Sequence, residues 1–247
     1  MTELPHQDAG DSPTLLNGVV DVWSASLDPV SPTVSRLLSY LERDERARAE
    51  RFVSERDRGR FVAGRAFLRM LLGRHVGVPP GDLRFRYDGF GKPALAGAGP
   101  GVRFNLAHSD ALAVCAVGEG CGEIGVDIER VRPIADAGSV SRAFLSPVEL
   151  AQLAALPEPA RLRAFYEAWT RKEAFLKALG CGLSRRLEDL EVSFGPGEPA
   201  RLLRSRSDPG EVERFSLHAF DPEAGYVGAV AVAGRAVQVG QRRWRWS

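Results

Sequence analysis

Helix-like and strand-like hydrophobic patterns alternate in both halves of this chain. Residues 35–50 and 57–75 carry apolar side chains at helical spacing, and a longer pattern of the same kind runs over residues 160–179 and stops at Gly180. Strand-like alternation occurs at residues 83–87, 102–106, 124–130, 190–194, 215–220 and 226–232, and residues 112–117 form a further apolar stretch. Because helices and strands are interspersed and no short repeat is detectable, the sequence predicts an α+β fold of two similar halves.

A glycine-rich break near the middle of the chain indicates where those halves meet. The chain has 247 residues, and Gly118, Gly120 and Gly122 follow the apolar stretch at residues 112–117, so we place the boundary near residue 120. The start of the chain lacks the basic and apolar regions of a signal peptide. The predicted segments are a disordered leader, an N-terminal half and a C-terminal half, at residues 1–14, 15–120 and 121–247.

Composition excludes several classes of partner. The chain has 33 Lys and Arg against 32 Asp and Glu, so no overall field favours nucleic acid or an acidic membrane surface. No apolar run approaches the roughly 20 residues of a membrane span. The three cysteines show neither CxxC nor zinc-like spacing. These features predict a cytoplasmic protein without a membrane or nucleic-acid partner, and the aromatic alternation at residues 242–246 is typical of a closing strand.

Three carboxylates are candidates for one site. Side chains alternate across a strand, so Asp127 and Glu129 in the predicted strand 124–130 point to the same face. A solvated strand face would show the same pattern. Glu173, however, falls near the middle of the apolar stripe of the long predicted helix, where an unpaired charge would be costly to bury. Three such hard oxygen ligands suit Mg²⁺, which usually also takes water and phosphate oxygens.

Basic residues indicate a phosphate compound as the ligand of that metal. Lys177 lies one helical turn after Glu173, although the two also fit an ordinary helix salt bridge. Other basic residues on the first two helices, in a glycine-rich turn and after a strand are Arg48, Arg60, Arg65, Lys92 and His108. Each of them alone fits a solvated or structural position equally well. A phosphate site is therefore a hypothesis that depends on the group.

Four short segments of the chain form a recognisable set. They are Gly91-Lys-Pro93, Phe104-Asn-Leu-Ala-His-Ser109, Ile124-Gly-Val-Asp127 and, after 41 intervening residues, Trp169-Thr-Arg-Lys-Glu-Ala-Phe-Leu-Lys177. Together they resemble the 4′-phosphopantetheinyl transferase family, specifically the two-half monomeric type that activates peptide and polyketide synthetases. They occur in the family's order, and the resemblance covers roughly residues 40–195.

The resemblance implies a fold, a reaction and roles for individual residues. It implies two α/β halves related by a pseudo-twofold axis, with coenzyme A and Mg²⁺ in the cleft between them, and transfer of phosphopantetheine to a serine of an apo acyl or peptidyl carrier protein. Glu173 and Lys177 would be catalytic, and the implied metal ligands are Asp127, Glu129 and Glu173. The implied coenzyme A contacts are Arg48, Arg60, Arg65, Lys92, Ala107, His108 and Lys177.

Two positions depart from the family pattern. Ala107 precedes the histidine where many members have a serine, and Phe61 follows Arg60 where some members have a threonine that contacts phosphate. Both changes remove a hydroxyl, so arginine side chains or backbone N–H groups would have to replace it at the 3′-phosphate.

Two other functions fit parts of the pattern. A magnesium nuclease or phosphatase also uses clustered carboxylates, but it does not explain the Gly-Lys-Pro turn or the segment 169–177. A non-catalytic module that binds coenzyme A or a carrier protein should have lost a metal carboxylate or Lys177, and all of these are present. The sequence therefore favours the transferase, with Glu173 accepting the proton of the carrier serine.

Overall fold

A computed structural model describes residues 18–29, 33–97, 101–234 and 237–246 of the chain. The predicted leader at residues 1–14 lies outside these ranges. Within them, a helix that could span a bilayer is not found.

Helices and strands are interspersed throughout, which confirms the predicted α+β class. The strands of the described residues are β1 (Val19–Ser26), β2 (Phe85–Tyr87), β3 (Pro93–Leu95), β4 (Val102–Ser109), β5 (Leu112–Glu119), β6 (Ile124–Arg130), β7 (Leu190–Val192), β8 (Leu202–Ser205), β9 (Phe215–Phe220), β10 (Tyr226–Ala233) and β11 (Gln238–Arg243). The α-helices are α1 (Val34–Leu38), α2 (Arg43–Ala49), α3 (Glu55–Val76), α4 (Ala137–Phe144), α5 (Pro147–Ala155), α6 (Glu158–Leu179) and α7 (Glu211–Arg214).

Two larger sheets form the centre of the molecule, with strand orders β11-β1-β5-β4 and β6-β10-β9. Val22, Val114, Val126 and Val230 belong to one apolar cluster shared by both sheets, so the sheets pack face to face. The outer face of the first sheet packs on α3, and the outer face of the second packs on α6. Both faces of each sheet are therefore covered.

The two sheets share one strand order. In each, the first strand in sequence lies beside the last of the three, giving β1-β5-β4 and β6-β10-β9, and a helix of 22 residues lies between the first and second strands. This order is what two similar halves would show. The pseudo-twofold axis itself stays a prediction.

The C-terminal strand crosses back to the first sheet. β11 pairs with β1 in parallel, with Val20 opposite Val239, and Trp244 then packs against Trp23 and Phe67. The division at residue 120 does not anticipate this pairing, because nothing in a short alternating segment specifies its partner strand. The first sheet is thus built from both ends of the chain.

The ends of the long helices follow local rules. Ser54 caps α3 by accepting a hydrogen bond from the backbone N–H of Asp57, and Gly77 ends it at a φ of 68°. Gly180 ends α6 at a φ of 66°, as predicted. The single helix predicted over residues 35–50 is wrong: α1 and α2 are separate because Glu42 and Glu45 form a capping box that starts a new helix.

Candidate active site

Close packing of α6 on β6 brings the predicted catalytic residues together. A Cβ atom at Gly125 would overlap the carbonyl oxygen of Ala174 and the backbone nitrogen of Ala178, so only glycine allows this approach. Asp127 lies two residues further along the same face of β6. The glycine of the Ile-Gly-Val-Asp segment is therefore what allows α6 to present Lys177 to Asp127.

Asp127 is the most deeply buried of the three carboxylates. Its Oδ1 accepts a 2.6 Å hydrogen bond from Lys177 Nζ, whereas its Oδ2 is buried without a hydrogen-bond partner. Burial raises the pKa of Asp127 to about 7, and the ammonium of Lys177 opposes that rise. The pair thus joins a costly buried carboxylate to a partly exposed cation.

Glu173 is half-buried on α6, beside the other two acids. Burial raises its pKa, Lys177 counteracts the increase, and the negative charge of Glu129 adds to it. The charges of Glu129 and Glu173 likewise raise the pKa of Asp127. The three acids are therefore electrostatic neighbours, although among the described residues no group of three acid, histidine or cysteine side chains already converges as a metal site.

Glu129 is held by the neighbouring strand β4. Ser109 donates a 2.7 Å hydrogen bond to Glu129 Oε2, and the same hydroxyl accepts one of 3.1 Å from the backbone N–H of Arg130. Ser109 directly follows His108, so the acidic strand and the histidine of the other half meet here.

A cavity of about 290 Å³ opens beside the acids. Glu173 and Lys177 line it from α6, and Lys92 and Asn105 line it from the N-terminal half. Its apolar lining residues are Phe90, Pro93, Leu106 and Leu176. The cavity, called the cleft from here on, therefore joins the predicted catalytic groups to an apolar wall, and residues from both sides of position 120 form it.

Of the seven predicted coenzyme A contacts, Lys92 and Lys177 line this cleft, and His108 lies close enough to Lys177 for their charges to interact. The side chain of His108 is partly open to solvent, but the protein around the imidazole desolvates it and thereby lowers its pKa. The positive charges of Lys177 and Arg48 lower the pKa of His108 further. Lys92 Nζ donates to the carbonyl of Ala178 at 3.1 Å and lies 3.3 Å from Glu123. Lys92 also lines a second cavity of about 310 Å³.

Arg48 lies on α2, and its positive charge helps to lower the pKa of His108. The Arg48 side chain is exposed, and its guanidinium stacks over the ring of Phe61.

The other three predicted contacts are engaged elsewhere. Arg60 binds Asp28 and Asp110 at 2.7 Å each, and both carboxylates raise its pKa. The Arg65 guanidinium pairs with Glu45, and Ala107 is buried in the apolar cluster between the two sheets. These three side chains therefore make contacts within the protein, and their contacts with coenzyme A stay predictions.

Comparisons with known proteins decide the family. The model of the 4′-phosphopantetheinyl transferase superfamily matches residues 123–231, and that of the 4′-phosphopantetheinyl transferase N-terminal region matches residues 25–119. The chain is 41% identical to the 4′-phosphopantetheinyl transferase HetI of Nostoc sp. over 223 residues, or 90% of each chain. This chain belongs to the 4′-phosphopantetheinyl transferase family.

A second curated relative agrees with that assignment. The 4′-phosphopantetheinyl transferase Sfp of Bacillus subtilis is 31% identical over 80% of this chain and 84% of its own length. Among solved structures, the Thermotoga maritima holo-[acyl-carrier-protein] synthase is 22% identical, with a TM-score of 0.36 over 46% of this chain and 64% of its own. Each matched region of this phosphopantetheinyl transferase family member contributes residues to the candidate site. The N-terminal region contains Lys92 and His108, and the other contains Asp127 and Glu173.

Sequence reasoning missed two residues of the site region. Asn105 lines the cleft and accepts a 2.9 Å hydrogen bond from the backbone N–H of Val126. Lys172, next to Glu173, is fully buried and binds Glu149 at 2.5 Å, so it supports the helix from behind. A polar residue inside an apolar strand or helix is the available signal, but its partner is set only by tertiary contacts.

Proposed function

We propose that this chain transfers the 4′-phosphopantetheine group of coenzyme A to a serine of an apo carrier protein and releases 3′,5′-ADP. The observation that carries the proposal is the cleft, in which Glu173, with its raised pKa, lies near the Asp127–Lys177 pair. The near full-length relatives are named for the same transfer.

The acidic side of the cleft fits a divalent cation. Asp127 Oδ2 is buried without a hydrogen-bond partner. Burial, and to a lesser extent the charges of Glu129 and Glu173, raise the pKa of Asp127, and a bound cation would stabilise its charged form. Carboxylate oxygens are the ligands that Mg²⁺ prefers. Asp127, Glu129 and Glu173 would hold the ion, which would neutralise charge on the pyrophosphate of coenzyme A.

Glu173 would act as the base. A serine hydroxyl is a weak nucleophile at neutral pH, and a carboxylate whose pKa is raised towards neutrality is a better proton acceptor than an ordinary one. As the proton passes to Glu173, the serine oxygen bonds to the phosphorus that bears pantetheine. The bond from that phosphorus to the oxygen of the adenosine 5′-phosphate breaks, and 3′,5′-ADP leaves.

Positive side chains would bind and stabilise the phosphates. Lys177 is about one-third exposed despite its bond to Asp127, so its ammonium can also contact the pyrophosphate and the charge that develops on the leaving group. Lys92 lines the other side of the cleft, and the charges of Arg48 and Lys177 act on the nearby His108. Lys92, His108 and Arg48 would hold the nucleotide end. We further propose a monomer that works in the cytoplasm, where its free cysteines Cys115, Cys121 and Cys181 would stay reduced.

The test is the intact mass of a carrier protein. Purified chain, coenzyme A, Mg²⁺ and apo acyl or peptidyl carrier are incubated with and without EDTA. A gain of one phosphopantetheine that EDTA abolishes is the expected result. No gain on several carriers, together with measurable coenzyme A binding, would refute the transfer and favour a non-catalytic coenzyme A module.

A further inference from the structure

Side chains bridge the open edges of the two sheets. β4 ends the first sheet and β6 ends the second. Asn105 Oδ1 accepts a 2.9 Å hydrogen bond from the backbone N–H of Val126, and Ser109 Oγ accepts one of 3.1 Å from that of Arg130. We call these two hydrogen bonds the edge bridge.

The spacing of the edge bridge resembles a parallel strand pair. Its acceptors are four residues apart on β4 and its donors are four residues apart on β6, so both pairs are separated by 21 positions in sequence. β6 already pairs with β10 along its other edge, with Asp127 opposite Ala229. Alternate N–H groups of an antiparallel edge strand point away from its partner, and those of Val126 and Arg130 point towards β4. Side chains thus replace the backbone carbonyls of a parallel ladder.

The two donors of the edge bridge flank the two acidic residues of β6 in sequence. Asp127 and Glu129 lie between its two donors, and His108 precedes Ser109 on the opposite strand. The Ser109 hydroxyl accepts a hydrogen bond from the backbone N–H of Arg130 and also donates a hydrogen bond of 2.7 Å to Glu129 Oε2. One serine therefore sets both the strand position and the orientation of a carboxylate.

We propose that Asn105 and Ser109 are positioning residues that fix the metal-side carboxylates of β6 against the nucleotide side of β4. This inference rests on the proposed function. Ser109 acts through Glu129, and Asn105 acts through the backbone of Val126. Partners that orient the ligands of a metal site typically change its affinity or activity 10- to 100-fold when they are removed.

The test compares Ser109→Ala with Ser109→Thr, which keeps the hydroxyl, and with a matched control, Ser193→Ala. Ser193 Oγ likewise donates to the carbonyl of Pro199 at 2.6 Å and accepts from the N–H of Arg201 at 2.8 Å, and it has two longer contacts of 3.4 Å, with the Arg171 guanidinium and the carbonyl of Arg201. Ser193 does not line the cleft cavity. Coenzyme A binding is titrated with Mg²⁺ by calorimetry, and holo-carrier formation and melting temperature are measured in parallel.

We expect Ser109→Ala to raise the Mg²⁺ midpoint of coenzyme A binding by about 10-fold and to slow transfer by a similar factor. Ser109→Thr should stay within about 3-fold of the wild type, and Ser193→Ala should lose stability with an unchanged midpoint. Asn105→Ala should shift the midpoint in the same direction as Ser109→Ala.

Three results would overturn the inference: an unchanged midpoint in Ser109→Ala, an equal shift in Ser193→Ala, or wild-type coenzyme A binding that does not depend on Mg²⁺. A wild type that shows Mg²⁺-dependent binding without carrier modification would refute the proposed transfer alone, and the midpoints would still decide the roles of Ser109 and Asn105.

Discussion

Two neighbouring residues of α6, Lys172 and Glu173, differ in role: the first stabilises the fold and the second lines the candidate site. Lys172 is buried against Glu149 and also donates to the carbonyls of Phe144 at 2.8 Å and Leu187 at 3.0 Å, whereas Glu173 is half-buried at the cleft. Because Lys172→Met leaves Glu149 as a buried unpaired charge, we expect it to lower the free energy of unfolding by about 3–5 kcal/mol.

Glu173→Gln is the matched comparison for Lys172→Met, and thermal or urea unfolding measures both. We expect Glu173→Gln to keep the wild-type stability or exceed it, since it removes a carboxylate whose pKa burial raises. Equal destabilisation by the two substitutions would contradict this division of tasks.

His218 makes stability sensitive to acid. Burial lowers its pKa below the ordinary value of 6.5, and its Nε2 is buried without a hydrogen-bond partner. As pH falls, the unfolded chain therefore binds a proton at His218 before the folded chain does. The stability that neutral His218 provides is fully present above about pH 6.5 and is lost as pH falls towards its lowered pKa. His218→Gln should lose less stability than the wild type between about pH 7.5 and 5.5 in urea unfolding. An identical loss in both proteins would show that His218 does not contribute.

At the scale of elements, the distance between α6 and β6 determines the site. Gly125→Ala would force the helix backbone away from the strand and separate Lys177 from Asp127. We expect a loss of at least about 2 kcal/mol in stability and a strong loss of transfer activity, because overpacking of this kind typically costs 1–3 kcal/mol or more.

Gly59→Ala in α3 is the control for Gly125→Ala. Its added Cβ would meet only a Val34 methyl, at 3.7 Å, so we expect unchanged or slightly raised stability. Comparable melting temperatures and activities for the two variants would contradict the role of close packing.

Elements with a clear period could be predicted from the sequence, and those that depend on partners could not. The helix ending at Gly180 and the strand 124–130 are confirmed, because an apolar period and a C-terminal glycine are local signals. The split of residues 35–50 at Glu42 depends on one capping box, and β1 was missed although Val20 and Val22 alternate. Asp127 and Glu129 could be assigned to one face of their strand, and Glu173 to the apolar face of its helix. The roles of Asn105 and Lys172 depend on tertiary partners that the sequence pattern does not specify.

At the scale of the whole molecule, the C-terminal end completes the N-terminal core. Trp244 is buried, contacts Trp23 and Phe67 edge-on, and has the Arg74 guanidinium 4.3 Å from its ring centre. Trp244→Ala should therefore cost about 3–5 kcal/mol in unfolding free energy, as large aromatic deletions in cores do.

Trp246→Ala is the control for that substitution. Trp246 is only partly buried and donates one hydrogen bond of 2.9 Å to the carbonyl of Ser26, so its loss should cost clearly less. If both variants unfold like the wild type, the C-terminal segment does not stabilise the first sheet.

Proton transfer from the carrier serine to Glu173, in a cleft shared by both halves, is the step on which the proposed mechanism depends. The most direct measurement is the single-turnover rate of holo-carrier formation, followed by intact mass at saturating Mg²⁺ and coenzyme A, for the wild type and Glu173→Gln. The amide keeps an oxygen ligand but cannot take the proton, so we predict a rate at least about 100-fold slower, with coenzyme A binding still measurable. A near-normal rate for Glu173→Gln would contradict the account.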